Sequence, residues 1–343
     1  MPASVDVITV PDFTGAAAAR FELRTLLFLG AWIRHEGASR SWPVHVACIG
    51  DPPASVRRLV ERARASITVH PPMPHPIPNT CNKQRGFEIS PACDRFLMLD
   101  TDTLVLRDLA PLAEAIGGGI GVGPTTGNHV PESIWRQIFH SVGVPYPGAT
   151  GTCWHAQWDL SAHGRISPEY RQQCLRMPPY FNGGVVMGTW AHGLGASWRA
   201  NIPLILRLTP EQPPEIQQVF MRHIDQLSLA TATAALAQTG IPVVTLPLAY
   251  QVRPPLLVSG VMPWKDVALF HYPHVLTRYG ESVDGISRLL YGRWWQPVRR
   301  RLAGRFGLRA IGSPLYRLVD PLAVRTYGGF FEEIHRIIQA HVT

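Results

Sequence analysis

Short apolar runs bounded by turn residues recur along the chain and predict β-strands, which are typically short and rich in β-branched residues. The eight runs are Val5–Val10, Val44–Ile49, Ser66–Val69, Phe96–Leu99, Ile120–Gly123, Val185–Gly188, Val243–Leu246 and Val267–His271. Between the early runs, Ala16–Arg34 repeats apolar residues at helical spacing, and Ser55–Ala65 follows a Pro-Pro pair typical of a helix start. This alternation predicts an α/β fold whose mostly parallel sheet is flanked by helices.

The amino-acid composition is that of a globular, folded protein. Of the 343 residues, 46% are hydrophobic and 16% are charged, which excludes an intrinsically disordered chain. The five cysteines include no C-x-x-C pair, so we expect no disulfide framework and a reduced, cytoplasmic protein. The N-terminal residues lack the basic and long apolar regions of a signal peptide, and no apolar run is long enough to predict a transmembrane helix.

The net charge of +8 is concentrated in residues 288–325, which contain nine arginines and a single acid, Asp320. Four apolar residues follow one another there at a spacing of four, as on one face of a helix: Trp294, Val298, Leu302 and Phe306. A basic amphipathic helix is typical of binding to an anionic membrane surface, here the inner membrane face. The alternative is that the apolar face packs on the core and the arginines face water, and both interpretations stay open.

The strongest motif is an apolar strand that ends in two carboxylates one residue apart. Residues 95–105 read RFLMLDTDTLV, which places Asp100 and Asp102 directly after the strand. Ligands of α/β sheets bind beyond the carboxyl ends of the strands. Two neighbouring carboxylates repel each other unless a cation joins them, and hard divalent ions take oxygen ligands and bridge phosphates. The motif therefore predicts a metal ion held against a diphosphate.

The alternative is that these aspartates form only a turn or a helix cap, which is common for an isolated D-x-D. The apolar strand before the pair, and the aliphatic run with Asp108 after it, favour the metal site.

This segment resembles the D-x-D region of GT-A glycosyltransferases and, among them, of glycosyltransferase family 8, the glycogenin and bacterial galactosyltransferase group. Three further segments match that family in the same order: residues 180–185 (YFNGGV), Asp225-Gln226 and Phe270-His271-Tyr272. With the first strand and Lys83, the matches extend over residues 5–275. The resemblance implies a GT-A (Rossmann-like) catalytic domain, placed at 1–280, followed by a helical, Arg-rich appendage at 281–343.

The resemblance also implies roles for particular residues. The metal ligands would be Asp100, Asp102 and His271, with Asp100 also on the donor ribose. A neutral imidazole in the set favours Mn²⁺ over Mg²⁺. Further roles are implied for Asn182 and Gly183 beside the donor sugar, Asp225 and Gln226 at the reactive carbon, Lys83 on the donor, and Thr9 and Phe13 on the nucleotide base. A glutamine beneath the anomeric carbon suggests transfer with retention.

Each of these residues has a simpler interpretation. His271 could be a buried core histidine, with His274 as its rival for the metal, and Lys83 could be a solvated lysine. Asn182 could mark a bulge at the start of a strand, and Asp225 could cap a helix over Leu227–Ala237.

The chain also departs from the family after His271. The family's late histidine is usually followed by G-x-x-K-P-W, which is missing here, so Arg278 is a candidate for the diphosphate contact. Residues 152–163 (TCWHAQWDLSAH) offer aromatic faces for stacking on sugars and predict an acceptor-side loop; equally, their tryptophans could fill the core.

The predicted function is a metal-dependent glycosyltransferase, hexosyltransferase-like, that moves a sugar from a nucleotide-sugar, by family default a UDP-sugar, to a glycan, lipid-linked or other acceptor. One alternative is a sugar nucleotidyltransferase, but residues 8–16 contain no Gly-rich, basic phosphate loop. A second is a catalytically silent sugar-binding subunit, against which the complete Asp100, Asp102 and His271 set argues. No motif predicts nucleic-acid binding.

Overall fold

The computed structural model describes residues 4–125, 127, 130–151, 176–252 and 264–271. In these residues the strands are β1 (Asp6–Thr9), β2 (Val44–Ile49), β3 (Ser66–His70), β4 (Arg95–Leu99), β5 (Thr103–Val105), β6 (Ile120–Pro124), β7 (Phe181–Thr189), β8 (Val243–Thr245) and β9 (Leu269–His271). All eight predicted strand segments are present. The additional strand, β5, is the aliphatic run that follows the acidic pair.

The α-helices are α1 (Ala18–Arg34), α2 (Ala54–Ala63), α3 (Ala110–Ile116), α4 (Glu132–Ser141), α5 (Leu194–Leu206) and α6 (Pro214–Gln238). Both early helices were predicted, α1 from its apolar spacing and α2 from the Pro-Pro pair before it. Asp225 lies within α6, which begins eleven residues earlier at Pro214, where proline fits the first turn; the helix predicted over Leu227–Ala237 corresponds to its second half. A kink at His223 (φ −125°, ψ 16°) separates the two halves of α6.

The central sheet has seven strands in the order β3-β2-β1-β4-β7-β6-β8. All neighbouring pairs are parallel except the two made by β7, which runs antiparallel between β4 and β6. The prediction of a mostly parallel sheet is confirmed. Because β1 and β4 are adjacent and parallel, their carboxyl ends meet at the same edge of the sheet.

Both faces of the sheet are buried, as the strand β4 shows. Leu97 and Leu99 pack into an apolar cluster with α1, α2 and α3, whereas Phe96 and Met98 pack into a second cluster with α5 and α6. Alternate residues of a strand point to opposite faces, so a strand covered by helices on both sides must be apolar throughout. The predicted flanking of the sheet by helices is confirmed.

A separate two-stranded sheet lies beside the acidic pair. Here β5 runs antiparallel to β9, and Thr103 lies opposite His271. The last predicted strand is therefore real, and its pairing with β5 brings residue 271 next to residue 102.

Several predicted features lie outside the described residues: the acceptor-side loop at 152–163, the residues His274 and Arg278, and the appendage at 281–343 with its basic segment 288–325. Within the described part of the chain, none of the helices is both long and apolar enough to cross a membrane.

Candidate active site

A cleft of about 640 Å³ opens at the sheet edge where β1 and β4 end. Most of the residues singled out in the sequence line it: Lys83, Asp100, Asp102, Asn182, Asp225, Gln226 and His271. They come from five separate segments of the chain. The fold therefore collects at one place side chains that are up to 188 positions apart, counted from Lys83 to His271.

The acidic pair occupies a tight turn after β4. The backbone N–H of Asp100 donates to the carbonyl of Gly184 on β7 (2.9 Å), and its own carbonyl accepts from the N–H of Thr103 (3.0 Å). Nε2 of His271 lies 3.2 Å from Oδ1 of Asp102 and 3.9 Å from Oδ2 of Asp100. One ligand atom from each of the three residues lies within 4.8 Å of the others, which is compatible with one shared cation.

The donor set fits a divalent metal ion. His271 is 2% exposed; its Nε2 faces the carboxylates of Asp100 and Asp102, and its Nδ1 has no hydrogen-bond partner among the described residues. Buried polar atoms without partners are costly and rare in native proteins. Two carboxylates and an imidazole suit first-row divalent ions. His271 is thus buried, as its simpler interpretation required, but it faces the acidic pair, so the arrangement also fits its predicted role as a metal ligand.

Arg24, on α1, holds the second oxygen of Asp102. Its Nη1 lies 3.1 Å from Oδ2 of Asp102, and both side chains are at most 10% exposed. Burial alone would raise the pKa of the Asp102 carboxyl, but Arg24 and His271 hold it well below its ordinary value. This stabilising charge is present at neutral pH, above the ordinary carboxyl range, and is lost only as the pH falls through the lowered pKa.

Sequence reasoning missed Arg24. The available signal was a charged residue inside an apolar helical run, since the neighbours Leu23, Thr25, Leu26 and Leu27 are all buried as well. A buried charge normally requires a partner, and here the partner is one of the predicted metal ligands.

Lys83 joins the acidic pair after β4 to α6. Its Nζ lies 3.0 Å from Oδ1 of Asp100, 3.0 Å from Oδ2 of Asp225 and 3.4 Å from the carbonyl of Gly183. Only 14% of the side chain is exposed, so the interpretation as a solvated lysine is wrong. Burial alone would lower the pKa of the ammonium group, but Asp100 and Asp225 raise it above its ordinary value. Lys83 therefore remains a cation at physiological pH.

The pairing of β7 with β6 is irregular at Asn182–Gly184, and of these residues Asn182 lines the cleft whereas the predicted Gly183 does not. Val122 pairs with Val186, whereas the next residue, Gly123, pairs with Asn182, so the register shifts between them. The bulge that was the alternative interpretation of Asn182 is confirmed. It does not exclude the predicted role, because Asn182 also lines the cleft. A Cβ at Gly184 would lie 2.6 Å from Cε1 of His271 and 3.0 Å from Oδ2 of Asp100. Glycine at this position leaves space for the His271 and Asp100 side chains to approach each other.

The two residues predicted at the nucleotide base, Thr9 and Phe13, do not line the cleft. Thr9 is the last residue of β1 and is fully buried in the sheet, and Phe13 packs against the core. Val10 and Asp12, from the turn after β1, lie there instead. Asp12 is held in place by Asn82, whose Nδ2 donates to it at 2.8 Å. The sequence signal that could have predicted Asp12 in the cleft is a carboxylate in the turn directly after a strand.

The first half of α6 forms a further wall. Glu215, Gln218, Val219 and Arg222 line the cleft at spacings of three and four, so they lie on one face of the helix that leads to Gln226. These residues were missed because the helix was expected to begin only after Gln226.

Replacing Arg24 with methionine is expected to destabilise the metal-free protein by about 3 kcal/mol, because it breaks the buried ion pair that contributes the largest favourable charge to the Asp102 carboxylate. Thermal unfolding in EDTA should show a lower midpoint, and Mn²⁺ should restore more of it than in the wild type. Arg62→Met on α2 removes an exposed arginine and is the matched control. Equal midpoints for Arg24→Met and the control would show that the ion pair does not support the site.

Comparison with known proteins identifies one family. The sequence model of the Rhodobacterales glycosyltransferase domain matches residues 20–237, from α1 to α6. None of the curated proteins matches the chain significantly.

Several solved structures are distantly similar. Galactosyltransferase LgtC, in complex with donor and acceptor sugar analogues, is 16% identical over 90% of this chain and 98% of its own, with a TM-score of 0.44. Mouse xyloside xylosyltransferase 1 is 13% identical over 79% and 98%, with a TM-score of 0.40. GlyE of Streptococcus pneumoniae is 13% identical over 78% and 54%, with a TM-score of 0.40. These likenesses are too distant to support an argument about the site.

Proposed function

The chain belongs to the Rhodobacterales glycosyltransferase domain family, and we propose that it is a metal-dependent, retaining hexosyltransferase that uses a UDP-sugar. The observation that carries the metal dependence is the convergence of Asp100, Asp102 and His271 in one cleft with Lys83 and Asp225. The acceptor in this proposal is a glycan, free or lipid-linked.

A divalent ion bound by Asp100, Asp102 and His271 would supply Lewis-acid stabilisation of the negative charge that grows on the leaving diphosphate. The imidazole ligand favours Mn²⁺ over Mg²⁺. The remaining chemistry rests on side chains that the chain itself provides.

Lys83 adds a fixed positive charge beside the acidic pair. Its two carboxylate partners hold the ammonium in place, so little reorganisation is needed as charge develops on the diphosphate. Because Lys83 also contacts the carbonyl of Gly183, it links the metal-binding turn to the segment proposed to line the donor sugar.

Asp225 and Gln226 lie at the proposed reaction centre. The carbonyl of Asp225 accepts a 2.6 Å hydrogen bond from Nε1 of the buried Trp198, and its carboxylate pairs with Lys83. These contacts hold the kinked part of α6, and with it Gln226, against the cleft. We propose that Gln226 lies beneath the anomeric carbon of the donor, as expected for transfer with retention.

Contact with an anionic membrane surface is also part of the proposal. It is supported by the basic, amphipathic pattern of residues 288–325. A cytoplasmic protein held at the inner membrane face in this way would meet a lipid-linked acceptor there.

The experiment that tests the function is release of nucleoside diphosphate from a panel of nucleotide-sugars, with Mn²⁺ or with EDTA. We expect metal-dependent release from one UDP-sugar, and nuclear magnetic resonance of the product should show retained anomeric configuration. Donor binding without release, with every acceptor offered, would support a catalytically silent subunit. Absence of any binding would show that the acidic pair is not a metal–diphosphate site.

A further inference from the structure

Gln251 lies beside β6 and contacts Asn182, one of the residues that line the cleft. It follows a short 3₁₀ helix, Leu248–Tyr250, and is 1% exposed. Its amide lies over Gly123, where a Cβ would overlap the Gln251 side chain. The glycine in β6 therefore provides the space that the glutamine occupies.

The Gln251 amide contacts Asn182, the residue proposed to line the donor sugar. Nε2 of Gln251 donates to Oδ1 of Asn182 at 2.9 Å. The backbone N–H of Gly184 donates to the same Oδ1, also at 2.9 Å. A backbone N–H can only donate, so the atom facing it must be the oxygen. The orientation of the Asn182 amide is thus determined, with its Nδ2 group left for the cleft that Asn182 lines.

We propose that Gln251 is a positioning residue that holds Asn182 with its two Nδ2 protons directed at a hydroxyl oxygen of the donor sugar. This inference rests on the proposed function. With only the Gly184 contact, the Asn182 side chain could rotate away at the cost of one hydrogen bond. The second donor, from a buried residue, makes a single orientation strongly preferred.

Stability alone does not explain a glutamine at this position. Its Oε1 is buried and has no hydrogen-bond partner within the described residues, which is a destabilising arrangement. An apolar side chain of similar volume would avoid that cost. The polar side chain is therefore best explained by the hydrogen bond that it donates to Asn182.

The test is a double-mutant cycle in donor turnover. Gln251→Met keeps the volume and removes the donor, and it is expected to lower kcat/KM for the nucleotide-sugar about tenfold, the loss of roughly one buried hydrogen bond. In an Asn182→Ala background the same substitution should have no further effect, because Gln251 acts only through Asn182. The melting temperature should not fall, and binding of UDP alone should be unchanged.

Two further variants sharpen the experiment. Gln251→Glu presents a carboxylate that only accepts, so it should draw Nδ2 of Asn182 away from the cleft and reduce turnover more than Gln251→Met does. Gly123→Ala should displace the Gln251 side chain, because the new Cβ would overlap it. The variant should therefore lower kcat/KM as Gln251→Met does. Crystal structures of Gln251→Met and Gln251→Glu should show the Asn182 side chain rotated.

Some outcomes would overturn the inference. Equal losses from Gln251→Met with and without Asn182, or losses that follow the melting temperature, would assign Gln251 a structural role. Weaker binding of UDP alone would show that Asn182 meets the diphosphate and not the sugar. If the wild type turns over no donor, the proposed function fails, and an Asn182 side chain unmoved in the crystal structures would separately refute the positioning role.

Discussion

Replacing Asp102 with asparagine is expected to reduce metal-dependent donor turnover by about 100- to 1,000-fold, equivalent to roughly 3–4 kcal/mol of lost transition-state stabilisation. The substitution preserves the shape of the side chain and removes its charge. Oδ1 of Asp102 is the oxygen that faces His271, while Oδ2 pairs with Arg24. Without the negative charge, the site should bind Mn²⁺ weakly, and the ion pair with Arg24 is lost.

The measurement is release of nucleoside diphosphate at saturating donor over a range of Mn²⁺ concentrations, with Mn²⁺ binding followed independently by electron paramagnetic resonance. Asp94→Asn is the matched control, since it makes the same change at an exposed position just before β4. Circular dichroism should establish that both variants are folded. Wild-type turnover and Mn²⁺ affinity in Asp102→Asn would remove this residue from the metal site.

Replacing Asp6 with alanine is expected to cost about 3–5 kcal/mol of stability, the largest such effect that we predict outside the cleft. Asp6 is 0% exposed and begins β1, at the end of the strand away from the cleft. Its carboxylate accepts hydrogen bonds from Nε2 of His45 (2.9 Å), the N–H of Cys93 (3.0 Å) and Nε1 of Trp190 (3.1 Å). Alanine would leave these donors without the acceptor that Asp6 provides, at a position where the side chain is fully buried.

Urea unfolding should reveal this loss as a lower midpoint with an unchanged slope. The control is Asp51→Ala, because that side chain is 83% exposed and its pair with Arg57 should contribute little. Below the unfolding transition, Asp6→Ala should keep the wild-type kcat, since the residue lies far from the reacting groups. A midpoint equal to that of the control would mean that the three hydrogen bonds do not support the fold.

The predictable part of this protein was local. Apolar runs such as Val44–Ile49 form strands because alternate positions are buried on both faces, and that pattern is visible in the sequence. Asp100 and Asp102 directly follow such a run. Because ligands of α/β sheets bind beyond the carboxyl ends of strands, their position predicted a site at the edge of the sheet. The start of α6 was also encoded locally, by Pro213 and Pro214, but the aspartate at 225 was a competing cap signal.

Other assignments failed because they depended on which way a side chain points. Thr9 and Phe13 were expected at the nucleotide, yet Thr9 still belongs to β1 and points into the buried sheet. Asp12, in the turn that follows, faces the cleft. At the end of a strand, a difference of one or two residues decides whether a side chain is buried in the sheet or faces the cleft. Sequence patterns locate strand ends only to within one or two residues.

The sequence by itself determined the α/β class, the strand that presents Asp100 and Asp102, and the glycosyltransferase family, because neighbouring residues encode local structure and family motifs. Only the tertiary structure decided that β5 pairs with β9 to bring His271 to that pair, that Arg24 and Lys83 neutralise its carboxylates, and that Gln251 orients Asn182. These contacts join residues far apart along the chain. They form because strand pairing and helix packing place the residues together, which no local pattern specifies.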